Sequence, residues 1–135
     1  MANNDGASRD ATGRTGVSGL SVFLVEDEFL ILLQLETMLS QLGCATAGTA
    51  SHLADALSRA ETCQADVALL DINLAGKKIY PVAEVLQRRK VPIVFSTGYG
   101  QSGIDAGWSR YPVVQKPFLP RELEKALMAA RELKG

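Results

Sequence analysis

Apolar residues along this chain come in two arrangements that alternate: short solid runs and longer helically spaced sets. Leu20–Glu26 (LSVFLVE) is a run rich in apolar and β-branched residues, bounded by Gly19 and an acidic cluster, and predicts a buried strand. Glu28–Leu42 carries leucines at helical spacing, and Gly43 follows where a helix commonly stops. Cys44–Thr49 is a weaker second strand, and Ser51 can cap a helix reaching about Ala60. Asp66–Leu70 (DVALL) predicts a third strand ending at Asp71. A helix over Pro81–Arg89 tolerates its proline in the first turn. Val91–Ser96 predicts a fourth strand with Pro92 near its start, where a missing N–H does least harm. After a short Gly-broken stretch, Pro112–Gln115 predicts a fifth strand. A closing helix runs from Pro120 to about Lys134, with Leu123, Ala126, Leu127 and Ala130 on one face.

Five successive strand–helix units with near-continuous apolar strands imply an α/β fold, a doubly wound parallel sheet covered by helices on both faces. Right-handed crossovers leave few topologies. The functional crevice of such a sheet lies at the carboxyl ends of its strands, where strand order reverses.

Composition adjusts this picture at the edges. Residues 1–18 (MANNDGASRDATGRTGVS) offer almost nothing to bury and read as a flexible tail, which leaves residues 19–135 as one domain. No apolar run reaches the roughly 18 residues that span a membrane, and no signal-peptide core is present, so a soluble, cytoplasmic protein is expected. With 14 basic and 15 acidic residues and a net charge of −1, no surface for binding nucleic-acid phosphates is indicated. Cys44 and Cys63 fit neither a metal spacing nor a disulfide framework and read as small buried or half-buried thiols.

The strand ends carry the chemistry. Glu26, Asp27 and Glu28 follow the first strand, Asp71 ends the third, Ser96, Thr97 and Gly98 end the fourth, and Lys116 follows the fifth. Taken singly, each has an ordinary explanation. The acidic triplet suits a solvated helix start, Asp71 and Thr97-Gly98 suit turns, and Lys116 suits a loop. Taken together they would converge on one patch of three carboxylates, a hydroxyl and an ammonium. Crowded carboxylates repel, and a divalent cation removes the conflict; an all-oxygen donor set favours Mg²⁺. Asp71 can act as a nucleophile, with Lys116 and Thr97 placed to stabilise a transferring phosphoryl group.

At this point the residues resemble the receiver (response-regulator) family of two-component systems. The pieces that carry the likeness are FLVEDE at 23–28, LLDINL at 69–74, VFSTG at 94–98 and QKPF at 115–118, and the likeness spans about residues 20–134. It implies a flavodoxin-like sheet of order 2-1-3-4-5, with Asp71 as phosphoacceptor and Glu26 and Asp27 as the acidic pair near Mg²⁺. It further implies the Asn73 carbonyl as a metal ligand, Thr97 in contact with a phosphoryl oxygen and Lys116 paired with it. A glutamate at position 26, where many receivers have aspartate, is a departure that should still bind metal.

The stretch VFSTGYG at 94–100 is similar to divergent alphaproteobacterial receivers named for a Phe-Ala-Thr-Gly-hydrophobic-Tyr motif, with Ser96 in place of alanine. The short, Gly-rich span before Lys116 implies a fourth helix that is shortened or mobile. Ordinary receivers place an aromatic three residues before the lysine. Here that position is Val113, and Tyr99 becomes the candidate switch residue, with Asn73 and Tyr99 expected to tune hydrolysis.

No residues remain for an output domain, so a stand-alone receiver is expected. It would be no enzyme beyond its own phosphorylation chemistry, with a sensor histidine kinase as donor and a downstream protein or phosphotransfer protein as partner. A general stress pathway follows by analogy only. The first helix has more apolar residues than one buried stripe needs. Leu30 and Leu33 are left over, and kinase phosphotransfer domains of this family dock near that helix, so both are candidate docking residues. The rival readings are weaker. A haloacid-dehalogenase-like phosphatase needs Asp-x-Asp after strand one, where position 29 is Phe. DINLAGKK at 71–78 is no P-loop. A flavodoxin-like carrier lacks its phosphate loop, and zinc chemistry has only His52. A degenerate receiver acting as a phosphorylation-independent binding module is the remaining alternative.

Overall fold

A computed structural model describes residues 7–98 and 103–133. In chain order the elements are β1 (Ser21–Val25), α1 (Phe29–Gln41), β2 (Ala45–Ala50), α2 (Leu53–Thr62) and β3 (Val67–Asp71). They continue with β4 (Asn73–Leu74), β5 (Lys77–Lys78), α3 (Tyr80–Arg88), β6 (Ile93–Thr97), β7 (Val113–Gln115) and α4 (Pro120–Glu132). The main sheet is parallel with order β2-β1-β3-β6-β7. That is the expected 2-1-3-4-5 once the small antiparallel β4–β5 hairpin is set aside.

The period-2 geometry of the strands divides the core into two layers. Phe23 and Val25 of β1, Ala68 and Leu70 of β3, and Ile93 and Phe95 of β6 pack with α2 and α3. Their neighbours Val22, Leu24, Val67, Leu69 and Val94 face the opposite way and pack with α1 and α4. Strands buried on both faces are apolar throughout, which is why the runs in the sequence are solid. On α1 the buried stripe is Leu32, Leu35 and Leu39, leaving Leu30 and Leu33 at 71% and 43% exposure, with Phe29 at 68% beside them.

Two details depart from the sequence reading and a third agrees with it. Ser51 does not cap α2: the N-cap is His52, without a side-chain bond, and its carbonyl accepts the Ala56 N–H at 2.9 Å. The helix begins one residue later than the serine could reach. The β4–β5 hairpin was not anticipated. Its signal is Ala75-Gly76, both at positive φ (51° and 84°), the backbone a tight two-residue hairpin turn demands. Between β6 and β7, where a crossover helix would stand, the described residues hold only a 3-10 turn, Ala106–Trp108, in keeping with the expected shortening.

The segment read as a flexible tail also differs, from residue 7 onward. Ala7 and Val17 are buried in the α1/α4 layer, and the Thr15 hydroxyl donates to the Leu42 carbonyl. Arg9 donates to the carbonyl of Gln41 at 3.2 Å. The main anchor is Glu124 on α4. It is only 3% exposed, and its two oxygens accept the backbone N–H groups of Ser8 (2.9 Å) and Gly16 (3.1 Å). A polar segment can be ordered when one buried carboxylate satisfies its amides, a long-range pairing that local composition does not reveal. Burial in this layer, with the Glu124 charge adding to it, pushes the Cys44 thiol up to about 11. Cys44 is therefore an inert core thiol.

Replacing Glu124 by Ala orphans both amides. The expected loss is about 1–3 kcal/mol, read as a lower urea midpoint together with faster amide exchange at Ser8 and Gly16. An unchanged midpoint with retained protection would show that the segment is held by its apolar contacts alone.

Candidate functional site

The sheet order decides which strand ends meet. β1 and β3 are neighbours, so Glu26, just past the end of β1, stands beside Asp71 at the end of β3. β3 pairs with β6 through Asp71↔Ser96, and β6 pairs with β7 through Thr97↔Gln115. Lys116 follows directly, its N–H donating to the Thr97 carbonyl at 2.9 Å. Four backbone segments thus deliver their polar residues to one edge of the sheet.

The Lys116 ammonium bridges two carboxylates. It lies 3.0 Å from Asp71 Oδ2 and 2.8 Å from Glu26 Oε1. Glu26 is fully buried, and Asp71 and Thr97 are each 5% exposed. The other oxygen of Glu26 accepts the N–H of Glu28 at 3.0 Å, closing the turn into α1. The Asn73 N–H donates to Asp71 Oδ1 at 3.3 Å. Asp27 is half-buried, and Asn73 is exposed at the rim. The structure therefore brings together Glu26, Asp27, Asp71, Asn73, Thr97 and Lys116. Leu30 and Leu33 sit on the outer face of α1, and Tyr99 lies outside the described residues.

Burial lifts the Asp71 carboxyl from its ordinary 3.8 to about 7, and the charge of Glu26 adds to that rise. The hydrogen bonds from Lys116 and from the Asn73 N–H pull the other way without prevailing. For Lys116 the balance is opposite. Burial alone would lower its pKa, but its bonds to Glu26 and Asp71 outweigh burial and hold it above 10.5. The lysine is accordingly a fixed positive charge at neutral pH.

One oxygen each from Glu26, Asp27 and Asp71 lies within 4.8 Å of the others. Three carboxylates faced by one ammonium leave an excess of negative charge in a poorly hydrated cleft. An all-oxygen set of this kind fits a small hard dication such as Mg²⁺ better than a soft metal.

Sequence reasoning missed a group of aromatics behind the site. Tyr80, Phe95, Trp108 and Tyr111 pack on one another with ring centroids 5.5–6.0 Å apart. They fill the space beside β6 that a crossover helix would occupy. The usable signal was the presence of two aromatics, Trp108 and Tyr111, in a Gly-rich connection that otherwise has little to bury.

A carboxyl group with a raised pKa keeps its proton below that value, so a cation must displace the proton in order to bind. Mg²⁺ affinity is therefore expected to be level above pH 7 and to weaken by up to about tenfold per pH unit below it, with proton release on binding. Calorimetry in two buffers of different ionisation heat measures both. The absence of proton release at pH 6 would mean that Asp71 is already ionised. Asp71→Asn should remove the pH dependence along with much of the affinity.

Comparison with known proteins agrees with this geometry. The sequence profile of the response regulator receiver domain matches residues 22–128. The solution structure of SdrG from Sphingomonas melonis Fr1 superimposes with a TM-score of 0.75 at 42% identity, covering 83% of this chain and 96% of that one. The response regulator PhyR from Brucella abortus gives a TM-score of 0.68 at 30% identity. There the match covers 84% of this chain but 47% of PhyR, so the chain corresponds to about half of that protein. The receiver domain of the sensor histidine kinase PA1611 from Pseudomonas aeruginosa PAO1 shares the fold at 24% identity, with a TM-score of 0.70 and coverage of 86% of this chain and 100% of that one. That structure has a magnesium ion coordinated in its active-site cleft. Comparison with curated proteins finds no match.

Proposed function

The chain belongs to the response regulator receiver domain family, and from that premise we propose that it accepts a phosphoryl group on Asp71 from a sensor histidine kinase and signals through the surface so changed. The observation that supports this most directly is the Lys116 ammonium held 3.0 Å from the Asp71 carboxylate at the carboxyl edge of the sheet. Receivers in general are signalling modules that carry out no reaction on other substrates, and this reading treats the chain in the same way. Among the described residues, no helix is long and apolar enough to cross a membrane.

The chemistry follows from the residues. An Asp71 oxygen attacks the phosphorus of a phosphohistidine, the P–N bond breaks, and an acyl phosphate forms as the imidazole leaves. The charge carried by the phosphoryl oxygens is met by Lys116, already fixed as a cation, and by the Thr97 hydroxyl. Glu26 and Asp27, with Asp71 and the Asn73 carbonyl, would hold the dication. Such an ion would supply positive charge against the carboxylates, which would favour the ionised form of Asp71 as the attacking group. Glu26 also orients Lys116 between the two acids. Asn73 and Tyr99 would tune water access to the phosphoryl group, and Tyr99 is the proposed switch residue in place of the missing aromatic at Val113.

The kinase side rests on α1. Leu30 and Leu33, with Phe29 beside them, expose apolar surface on the helix that begins two residues after Asp27. An apolar patch rimmed by polar groups suits a helical phosphotransfer partner. The phosphorylated domain would then bind a downstream protein or pass the phosphoryl group on.

Intact mass after incubation with Mg²⁺ and acetyl phosphate tests the acceptor. A gain of one phosphate is expected in the wild type and not in Asp71→Asn. A wild type that gains none, even with kinase present, would leave the domain as a binding module. Leu30→Glu with Leu33→Glu separates docking from chemistry: acetyl phosphate labelling should persist while transfer from a kinase phosphotransfer domain falls by about tenfold or more, the loss of one or two buried apolar anchors. Loss of both activities would place these residues in folding instead.

A further inference from the structure

The connection between β6 and β7 begins at the phosphoryl end of the site and ends in the aromatic group. Gly103 lies so near Thr97 that a Cβ on it would stand 3.0 Å from the Thr97 hydroxyl oxygen. The Gly103 carbonyl in turn accepts a hydrogen bond from the Tyr80 hydroxyl at 3.4 Å. The same hydroxyl accepts the backbone N–H of Asp105 at 2.8 Å. Tyr80 is the first residue of α3 and is 8% exposed. Its ring stacks on Trp108 (5.7 Å, 14°) and meets Phe95 edge-on (6.0 Å, 68°). Phe95 precedes Thr97 by two residues on β6, so the contacts close a loop: Thr97, Gly103, Tyr80, Phe95 and back along the strand.

We propose that Tyr80 is a positioning residue for phosphoryl transfer, its hydroxyl fastening the backbone of Gly103 and Asp105 so that Gly103 sets the room open to the Thr97 hydroxyl and Trp108 registers its movement. The inference rests on Asp71 being the phosphoacceptor. In meeting a phosphoryl oxygen on Asp71, the Thr97 hydroxyl has only the room that Gly103, standing against it, leaves. Gly103 cannot move independently, because the hydroxyl that receives Asp105 also holds Gly103. One hydroxyl donates and accepts here, which uses its capacity as donor and as acceptor. A tyrosine hydroxyl is protonated at neutral pH, and burial moves its pKa further up. Tyr80 is itself wedged between Phe95 and Trp108 in a close-packed layer, and such layers shift between discrete packings and do not deform smoothly. This route from threonine to helix needs no aromatic on β7, where Val113 stands.

The chain's single tryptophan makes the coupling readable. Trp108 emission is followed while Mg²⁺-loaded protein is titrated with beryllofluoride, and labelling by acetyl phosphate is followed by mass in parallel. Two variants remove a hydroxyl from the same stack and keep the ring. Tyr80→Phe loses the bonds to the connection. Tyr111→Phe loses only those from Gln87 and Arg110. The wild type and Tyr111→Phe are expected to show a saturable emission change. Tyr80→Phe is expected to lose most of it and to label about tenfold more slowly, the cost of a misplaced group near the chemistry. A third variant, Gly103→Ala, sets a methyl against the Thr97 hydroxyl and leaves the stack intact. It should slow labelling while keeping the native circular dichroism, so the inference stays testable if Tyr80→Phe folds poorly. A Tyr80→Phe response equal to wild type, an equal loss in Tyr111→Phe, or a Gly103→Ala labelling rate equal to wild type overturns the inference. So does a wild type that takes up phosphate with no change at Trp108. A wild type that takes up no phosphate overturns the phosphoacceptor reading itself, and this inference with it.

Discussion

Lys116 stands between two buried carboxylates, 2.8 Å from Glu26 and 3.0 Å from Asp71, and the arrangement of the sheet is what makes that possible. Charges withdrawn from water are tolerated only when paired. The strands bearing Asp71 and Lys116 are not neighbours. With β6 between them they lie roughly 10 Å apart, so a long, flexible side chain is required at the end of β7. A rigid or shorter cation would leave Asp71 and Glu26 without a countercharge. Even so, Lys116 does not fully offset burial at Asp71, which stays poised near neutrality. The side chains of the cleft by themselves therefore supply too little positive charge, which is the electrostatic condition that favours a dication there.

The two-layer core holds this edge in place. Successive residues of β1, β3 and β6 alternate between the α2/α3 layer and the α1/α4 layer, so each strand is gripped from both sides. The strand ends, and the side chains on them, inherit that rigidity. Geometry of this sort depends on backbone positions fixed by packing and on hydrogen bonds that hold the side chains in place. The N-terminal segment extends the same logic. It closes the α1/α4 layer with Val17 and Ala7 and is tied down by Glu124, a second buried carboxylate that accepts backbone amides.

The α2/α3 layer is completed differently. Among the described residues the β6–β7 connection has no α-helix, and aromatic rings fill that space. Tyr80 and Phe95 come from regular elements, while Trp108 and Tyr111 come from the connection. Rings reach further than the aliphatic side chains of a helix and carry polar tips. Tyr80 and Tyr111 use those tips to bind Gly103, Asp105, Gln87 and Arg110. The segment next to Thr97 is thereby fastened to α3, at the cost of the regular backbone bonding a helix would have supplied.

The sequence by itself determined the order and type of the five strands of the main sheet and of the helices around it, because solid apolar runs and helically spaced leucines are local consequences of period 2 and period 3.6. It also indicated that Glu26, Asp27, Asp71, Thr97 and Lys116 would meet at one edge of the sheet, because each stands at the end of such a run and the rule for parallel sheets brings those ends together. Only the tertiary structure decided the rest. Residues 7–18 look loose until Glu124, more than a hundred positions away, accepts their amides. Tyr80 reads as an ordinary helix residue until Gly103 and Asp105 arrive at its hydroxyl. Lys116 could have paired with Asp71 alone, and its second bond to Glu26 depends on how far a glutamate reaches across the sheet. Each of these depends on which distant partner the folded chain supplies, and spacing along the sequence carries no record of that partner.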